Sequence, residues 1–458
     1  MEKRTIAAIS TAVSTSGIGI VRVSGPRALD IVQKVYVSPS GEKDLREVPS
    51  HTVHYGYIQK GEEICDEVLV VVMRAPHTYT REDTAEINCH GGILSMKRVL
   101  DAVLDAGAHL AEPGEFTKKA FFNGRIDLSQ AEAVMDLIEA SSDLALENSL
   151  HQVKGSLRRC VESLRGEILE EVARIEASLD DPEHLSLEGY GEELAEKLSE
   201  MQRRLKELLD SFDNGRLVKE GIRTAIIGKP NVGKSSLLNL LLGQERAIVT
   251  QIPGTTRDVL EDTLRLGDIT LRIMDTAGIR KTEDVVEQIG VQRAKELVGS
   301  SDLILYVADS SLPFDENDEE ILSLLQGKEA IIVYNKTDLP PLWDAKKLEE
   351  KAGHPVVPLS AKEGKGLHDL EEEIRSLFFS GRVVAKEDIL VTNARHKQLL
   401  QEAKVALDRV EDSLNAGLPE DFFTIDMMDA YESLGKILGQ SLEEDLVNEI
   451  FSKFCMGK

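Results

Sequence analysis

The run Gly228–Ser236, which reads GKPNVGKSS, constrains this chain more than any other feature of its sequence. The apolar stretch Ile222–Ile227 precedes it and the leucine-rich segment Leu237–Leu242 follows it, which predicts a strand, a glycine-rich loop and a helix in that order. In such a loop the backbone N–H groups turn inward around a phosphate, and the helix N-terminus adds positive potential. We therefore predict a P-loop in which Lys234 reaches the β- and γ-phosphates of a nucleotide and Ser235 ligates Mg²⁺.

Three motifs after the P-loop indicate which nucleotide binds. Asp275–Gly278 (DTAG) ends an apolar strand, where the Asp would hold Mg²⁺ through water and the Gly N–H would sense the γ-phosphate. Asn335–Asp338 (NKTD) resembles the N-K-x-D motif of the GTPase family, whose Asp accepts hydrogen bonds from the N1–H and the N2 amine of guanine. Ser360–Lys362 resembles the last guanine-side loop of that family. Because adenine lacks this pair of donors, Asp338 is expected to select GTP. The residues expected to bind GTP are Asn231, Val232, Gly233, Lys234, Ser235, Ser236, Thr250, Gln251, Ile252, Pro253, Gly254, Thr255, Thr256, Asp275, Thr276, Ala277, Gly278, Asn335, Lys336, Asp338, Ser360, Ala361 and Lys362.

Composition limits the class of protein. A chain of 458 residues with 41% hydrophobic content can build about two to four domains with real cores. No apolar run approaches about 20 residues and no apolar signal core follows the N-terminus, so we expect a cytoplasmic protein without a membrane span. The cysteines Cys65, Cys89, Cys160 and Cys455 form no C-x-x-C pair, which argues against zinc and against a disulfide framework. With 54 basic and 81 acidic residues the net charge is −27, so binding RNA would need a local basic patch or a partner protein.

Hydrophobic patterning predicts the organisation of the chain before the P-loop. Residues 1 to about 118 read as mixed α and β, and residues 119 to 215 read as helical. Apolar residues from Leu150 to Leu179 step by three and four, which predicts one long amphipathic helix. A second helix is predicted to begin near Leu194 and to close at Asn214-Gly215, with Gly215 as a C-cap. The strands predicted in the first region are Thr5–Ile9, Gly19–Val23, His51–Ile58, Glu67–Met73 and Thr84–Cys89, and its helices are Pro26–Val35 and Gly91–Ala106.

The P-loop segment, residues 216 to 380, alternates strand and helix, and the chain then returns to helix. Apolar residues share one face over Leu399–Leu414 and another over Met427–Leu438. The simplest interpretation is a GTPase domain inserted into a helical domain whose two halves pair to bury their apolar stripes. Two separate helical modules remain the alternative.

The residues around the P-loop indicate how GTP would be hydrolysed. Ile279 stands where signalling GTPases carry the Gln that orients the attacking water, so another group must take that role. The segment after it is rich in carboxylates, one of which could enter the site as a water-positioning base. Asn231 resembles the Asn of cation-dependent GTPases, in which this residue and loop carbonyls hold K⁺ in place of an arginine finger. Arg257 and Arg280 remain rival arginine-finger candidates.

The chain resembles one family over essentially its full length, including the order of domains, and the motifs near its two ends are the most specific. This is the MnmE (TrmE) family of K⁺-dependent tRNA uridine-modification GTPases, within the TrmE-Era-EngA-like superfamily. The P-loop sequence alone is less specific, because it also occurs in several ribosome-assembly GTPases. The motifs that carry the resemblance are Ile20–Gly25 (IVRVSG), Asn88–Gly92 (NCHGG), Glu112–Phe116 (EPGEF), Asp127–Ala133 (DLSQAEA) and Phe454–Lys458 (FCMGK).

The resemblance implies an enzyme, a GTPase within a tRNA modification complex. Its partner would be the FAD-containing flavoprotein MnmG (GidA), in a heterotetramer that adds a (carboxymethyl)aminomethyl group at C5 of the tRNA wobble uridine, U34. A tetrahydrofolate derivative bound by the N-terminal domain would supply the one-carbon unit, and the same domain would form the homodimer. GTP and K⁺ would bring two GTPase domains together and so activate hydrolysis.

The resemblance also assigns roles to individual residues. Glu287 aligns with the catalytic Glu of the family, which acts on water indirectly, and Cys455 lies in the motif that the family uses in tRNA modification. The implied ligand contacts are Arg22, Glu86, Arg125 and Lys458 for folate, Asn231, Thr250, Ile252 and Thr255 for K⁺, and Ser235 and Thr256 for Mg²⁺.

The expected fold is a multidomain α/β protein. It comprises an α+β tetrahydrofolate-binding and dimerisation domain at 1–118, an all-α helical domain at 119–215 and 381–458, and an inserted Ras-like P-loop α/β GTPase domain at 216–380. The first rival function is a ribosome-assembly GTPase switch, a class that carries a basic RNA-binding module with a G-x-x-G loop. This C-terminus is acidic and helical and lacks that loop. The second rival is a signalling GTPase that awaits an activator, against which Asn231 and Ile279 argue.

Overall fold

The computed structural model describes residues 4–41, 43–181, 189–244, 262–274, 296–379, 389–442 and 444–457. The chain forms two compact units. The first comprises Met1–Met135, Val153–Glu170 and Tyr431–Lys458, and the second comprises Asp136–Gln152 and Glu171–Ala430. Among the described residues, no helix is both long enough and apolar enough to cross a bilayer.

The strands and helices are numbered in chain order. The strands are β1 Ile6–Ile9, β2 Gly19–Ser24, β3 Tyr36–Val37, β4 Thr52–Lys60, β5 Glu63–Met73, β6 Thr84–Cys89, β7 His109–Leu110, β8 Ile222–Ile227, β9 Asp262–Leu266, β10 Ile269–Ile273, β11 Leu303–Asp309, β12 Ala330–Asn335 and β13 Val356–Pro358. The helices are α1 Ala28–Val35, α2 Ile93–Asp105, α3 Glu115–Phe122, α4 Leu128–Glu139, α5 Asp143–Val153, α6 Ser156–Asp180, α7 Tyr190–Asp210, α8 Phe212–Glu220, α9 Lys234–Gln244, α10 Glu316–Leu324, α11 Ala345–Ala352, α12 Leu367–Phe379, α13 Ala394–Asn415, α14 Asp421–Ile437 and α15 Glu444–Ser452.

The first unit contains a sheet in the order β3-β4-β5-β6-β2-β1-β7. Neighbouring strands are antiparallel except for β1 and β7, which pair in parallel. Apolar side chains alternate along β5 and pack with those of α1 and α2 in one core, as expected for an antiparallel sheet covered on one face. Opposite that core, the pairing of β2 with β6 places Arg22 directly across from Glu86.

The second unit contains a sheet in the order β13-β12-β11-β8-β10-β9, parallel except for the β9–β10 hairpin. All seven residues of β11 are buried, as is typical of a central strand with both faces covered. Sequence reasoning had not singled out this strand. The connection direction reverses at β8, and ligands of open α/β sheets bind at the carboxyl ends of strands at such a point. The P-loop leaves β8 at its carboxyl end.

The second unit contains two long helices, one before and one after the predicted nucleotide-binding segment in the sequence. α7 packs against α13, and Gln202 donates hydrogen bonds to Asp408 at 3.0 Å and to Glu411 at 2.9 Å. The helical segments before and after the P-loop region therefore do pack together. The boundaries at residues 118, 215 and 380 stay a prediction.

Two helix predictions are wrong. The segment Leu150–Leu179 is not one helix, because a turn at Lys154-Gly155 separates α5 from α6. Gly155 has a φ of +81° there. Gly215 is not a C-cap but lies inside α8. A Cβ at Gly215 would lie 2.2 Å from the carbonyl oxygen of Val391, so close packing explains this glycine. The strand predictions in the first unit are confirmed, with ends that differ by a few residues. The expected multidomain fold class is also confirmed.

Candidate functional site: a guanine-nucleotide pocket and a second polar cluster

The P-loop connects β8 to α9 and depends on two glycines. Gly228 has a φ of +149° and a Cβ there would lie 2.4 Å from the carbonyl oxygen of Val307. Gly233 has a φ of +105° and its Cβ would lie 2.2 Å from Nδ2 of Asn335. Both positions therefore exclude a side chain. Lys234 donates hydrogen bonds from Nζ to the carbonyl oxygens of Gly228 at 2.8 Å and Lys229 at 2.7 Å, and burial lowers the pKa of its ammonium group.

Asn335, at the end of β12, joins the P-loop to the loop after β13. Its Nδ2 donates to the carbonyl oxygen of Val232 at 2.8 Å, and its Oδ1 accepts from the backbone N–H of Ala361 at 3.0 Å. Asn335 is buried, so both amide atoms would cost free energy if left without partners. This side chain brings together three motifs that are far apart in the sequence.

Asp338 is held as a hydrogen-bond acceptor beside these loops. The Oγ of Ser360 donates to Oδ1 of Asp338 at 2.7 Å, and this hydrogen bond lowers the pKa of the Asp338 carboxyl below its usual value. The carboxylate is therefore ionised at neutral pH and can accept further donors. Lys362 lies two residues after Ser360 and is exposed.

Lys336 connects the same motif to the P-loop by a different route. It has a φ of +65°, and its Nζ lies 2.6 Å from Oδ2 of the buried Asp309 and 2.9 Å from the carbonyl oxygen of Asn231. Burial opposes ionisation of Asp309, but hydrogen bonds from Lys336 and Ser311 outweigh it and lower the pKa of the Asp309 carboxyl. Sequence reasoning missed Asp309, although a polar residue at the end of an apolar strand is a usable signal.

The remaining nucleotide-site predictions are placed only in part. Ser235 and Ser236 lie in the first turn of α9, and Val232 is buried in the core below the loop. The other predicted residues lie outside the described part of the chain. They are Thr250, Gln251, Ile252, Pro253, Gly254, Thr255, Thr256, Asp275, Thr276, Ala277, Gly278 and Glu287, together with Arg257, Ile279 and Arg280.

The first unit holds a second polar cluster, on β2 and β6. Nε and Nη2 of Arg22 both lie 2.8 Å from Oε1 of Glu86, and the two side chains remain 20% and 21% exposed. The Arg22 guanidinium also lies 5.7 Å from the ring centre of Phe116. Because both charged groups are partly open to solvent, they can exchange part of this contact for a polar ligand.

Arg125 lies in the same unit against a partly buried tyrosine. Its guanidinium lies 4.9 Å from the ring centre of Tyr79, and Nη1 donates to the carbonyl oxygen of Thr78 at 2.9 Å. Tyr79 Oη shares a 3.0 Å hydrogen bond with Thr117, and burial raises the pKa of this phenol. Within the described residues, no hydrogen bond or ion pair joins Arg125 to Arg22 or Glu86.

The C-terminal segment reaches the cluster at Arg22. The carbonyl oxygen of Gly457 accepts from Ser10 Oγ at 3.0 Å and from Arg22 Nη1 at 3.4 Å. Cys455 is half-buried against the core formed by α4 and α15, and its carbonyl oxygen accepts from the N–H of Gly114 at 3.3 Å. The structure therefore places Cys455 two residues from the carbonyl that accepts a hydrogen bond from Arg22, which sequence spacing did not predict. Lys458 lies outside the described residues.

Family profiles and curated relatives together span the chain. The family profile "MnmE helical domain" matches residues 128–455, and "GTP-binding protein TrmE N-terminus" matches residues 5–125. The tRNA modification GTPase MnmE of Lachnoclostridium phytofermentans is 52% identical over 458 residues, covering 100% of both chains. The protein of that name from Bacillus subtilis is 47% identical, covering 99% of this chain and 100% of its own. Among solved structures, the G domain of the T. maritima FeoB iron transporter is 28% identical over 34% of this chain and 98% of its own, with a TM-score of 0.25. The chain therefore belongs to the MnmE (TrmE) family of tRNA modification GTPases.

Proposed function

We propose that this GTPase is the GTP-hydrolysing subunit of the enzyme that modifies the tRNA wobble uridine, U34. The observation that carries the proposal is the hydrogen-bonding of Asn335, which holds the P-loop, the N-K-x-D motif and the Ser360–Lys362 loop as one pocket with Asp338 beside it. A FAD-containing partner, MnmG, and a tetrahydrofolate one-carbon unit would complete the addition of a (carboxymethyl)aminomethyl group at C5. The protein would act in the cytoplasm as a homodimer within a heterotetramer.

The donor chemistry of the P-loop fits Mg²⁺ and K⁺. Mg²⁺ prefers hard oxygen ligands, and Ser235 offers a hydroxyl at the start of α9, with Thr256 as its expected companion. Asn231 is exposed with a φ of +62°, its backbone carbonyl accepts from Lys336, and we assign the K⁺ contact to its side-chain oxygen. Thr250, Ile252 and Thr255 would supply the other K⁺ contacts. Both ions would offset the negative charge of the phosphates during hydrolysis.

Water activation is assigned to Glu287. Ile279 carries no hydrogen-bonding group, so it cannot orient water, and a carboxylate acting through a second water can replace the missing glutamine. Arg257 and Arg280 remain the alternative source of positive charge if K⁺ has no effect.

The test compares GTP turnover in KCl and in NaCl without any partner protein. We expect K⁺ to stimulate the wild type at least about tenfold, since it supplies transition-state charge. Glu287→Ala should keep GTP binding and lose most turnover in K⁺. The matched control is Glu283→Ala, which removes a carboxylate from the same segment and should keep wild-type turnover. Equal rates in the two salts would favour a signalling switch. Wild-type turnover by Glu287→Ala would refute the assignment of water activation to Glu287.

Folate binding is proposed for the Arg22–Glu86 pair, Arg125 and Lys458. A carboxylate such as Glu86 can accept hydrogen bonds from the amino edge of a pterin, while Arg and Lys side chains bind the carboxylates of the glutamate tail. The partial exposure of Arg22 and Glu86 supports this proposal, because a ligand can reach both charged groups. Cys455, on the C-terminal segment beside Arg22, is proposed to take part in the modification chemistry.

A further inference from the structure

Lys229, the second residue of the P-loop, directs its ammonium group away from the loop and towards α10. Its Nζ lies 2.6 Å from Oδ2 of Asp318 and 3.0 Å from Oδ2 of Asp315. The Lys229 side chain is 17% exposed and that of Asp318 is 5% exposed. An ion pair this well buried and this short restricts the lysine far more than a surface pair would.

Asp318 is itself fixed by two further donors. The hydroxyl of Tyr306, on the buried strand β11, donates to Oδ1 at 2.5 Å, and the backbone N–H of Asp315 donates to Oδ2 at 2.9 Å. Asp315 and Asp318 also form the capping box that begins α10. Burial opposes the charge on Lys229, but the two carboxylates outweigh it and raise the pKa of the ammonium. The Lys229 ammonium therefore stays protonated at neutral pH.

The backbone of Lys229 meets the nucleotide site at the other end of the residue. Its carbonyl oxygen accepts from Nζ of Lys234 at 2.7 Å, beside the second acceptor, Gly228. Gly228 packs on the carbonyl of Val307, the residue after Tyr306 on β11. The side chain of Lys229 is thus held by α10 while its backbone orients the lysine expected to bind phosphate.

We propose that Asp318, assisted by Asp315, is a positioning residue for nucleotide binding. By holding the Lys229 side chain, Asp318 fixes the start of the P-loop. This keeps the carbonyl oxygens of Gly228 and Lys229, the two acceptors of Lys234, in place. The loop then needs little rearrangement when phosphates enter, so less free energy is lost on binding. The proposal rests on the phosphate-binding role proposed for Lys234.

The test measures the affinity of the full chain for a fluorescent GDP analogue, together with kcat and KM for GTP. Asp318→Asn and Lys229→Met should each weaken GDP binding about tenfold, which is the size of effect typical of one coupled charged contact. The double variant should be no weaker than either single variant, because both changes break the same ion pair. Lys229→Arg should restore binding to near the wild-type value. We expect KM to rise and kcat to stay within about twofold, since binding is affected before chemistry.

The matched control is Asp344→Asn. Asp344 is the N-cap of α11 in the same unit and accepts from the backbone N–H of Lys346, and within the described part of the chain no hydrogen bond or ion pair joins it to the P-loop. It should lower thermal stability and leave the GDP affinity unchanged. The proposal is overturned if Lys229→Met binds GDP like the wild type, or if the two single effects add in the double variant. Lys234→Ala separates the two proposals: if it binds GDP normally, the phosphate-binding role of Lys234 fails first.

Discussion

At the scale of single residues, the nucleotide pocket depends on side chains that each hold two loops. Asn335 uses its amide N–H on the P-loop and its amide oxygen on the loop after β13. Lys336 likewise contacts Asp309 on β11 and Asn231 in the P-loop. A change at either residue therefore moves more than one motif, and its effect on GTP binding will exceed the loss of a single hydrogen bond.

Asp338→Asn should exchange guanine for xanthine recognition. The carboxylate is proposed to accept two hydrogen bonds from guanine, and an amide would instead present one acceptor and one donor, the donor matching the carbonyl of xanthine. One charge-assisted hydrogen bond is lost and the other becomes neutral, which together costs about 3 kcal/mol, so GTP affinity should fall about 100-fold while XTP affinity rises. Titration with fluorescent GTP and XTP analogues measures both constants. An unchanged affinity for GTP would contradict guanine recognition by Asp338.

Glu86→Gln should weaken binding of a tetrahydrofolate derivative about tenfold, because a neutral amide replaces the proposed carboxylate acceptor. GTP turnover should stay at the wild-type rate. Isothermal titration calorimetry with the folate measures the first effect. The control is Glu82→Gln, which breaks the ion pair with Lys119 in the same unit at 2.8 Å. Normal folate affinity with slightly lower stability would mean that the Arg22–Glu86 pair has only a structural role.

At the scale of elements, one carboxylate in the second unit links helix α8 to strands β8 and β11. Asp302, just before β11, accepts from Arg223 on β8 at 2.9 Å and from Arg216 on α8 at 3.0 Å. Its side chain is 10% exposed. A helix that precedes the sheet in sequence is thereby fixed to two of its strands.

Asp302→Asn should destabilise this unit by about 1.5–3 kcal/mol at neutral pH, because the carboxylate charge that accepts from two arginines is removed. Burial raises the pKa of Asp302, but hydrogen bonds from Arg223 and Arg216 outweigh it and lower the pKa to about 2. A lowered carboxyl pKa contributes stability above its unfolded value, about 4, and that contribution is lost as pH falls towards 2. Urea unfolding from pH 7 to pH 2 should show a smaller pH dependence in the variant. Equal pH dependence in both proteins would contradict this account.

At the scale of the whole molecule, the two ends of the chain meet in the first unit. Gly457 has a φ of +82°, and a Cβ there would lie 2.3 Å from the carbonyl oxygen of Ile9. The C-terminal segment that contains Cys455 is therefore seated against β1, and residues from both ends build one cluster.

Gly457→Ala should displace this segment and reduce tRNA modification, while GTP turnover is retained. Cys455→Ser should give the same pattern if its thiol takes part in the chemistry. Mass spectrometry of tRNA nucleosides and a phosphate-release assay measure the two activities. The control is Gly61→Ala, which has a similar φ of +62° but no atom within 4 Å of the added Cβ. Full modification by Cys455→Ser would remove the cysteine from the mechanism.

The sequence by itself determined the GTP-binding class, the fold class and most strands, because each rests on a local pattern of glycines, apolar periodicity and short motifs. It could not place the break at Gly155 or the role of Gly215, since apolar periodicity continues across the first and a distant carbonyl decides the second. Only the tertiary structure brought Asp318 to Lys229, Asp309 to Lys336 and Gly457 to Arg22. Those contacts join residues far apart in the chain, so their free energy appears only when the sheets and helices have packed.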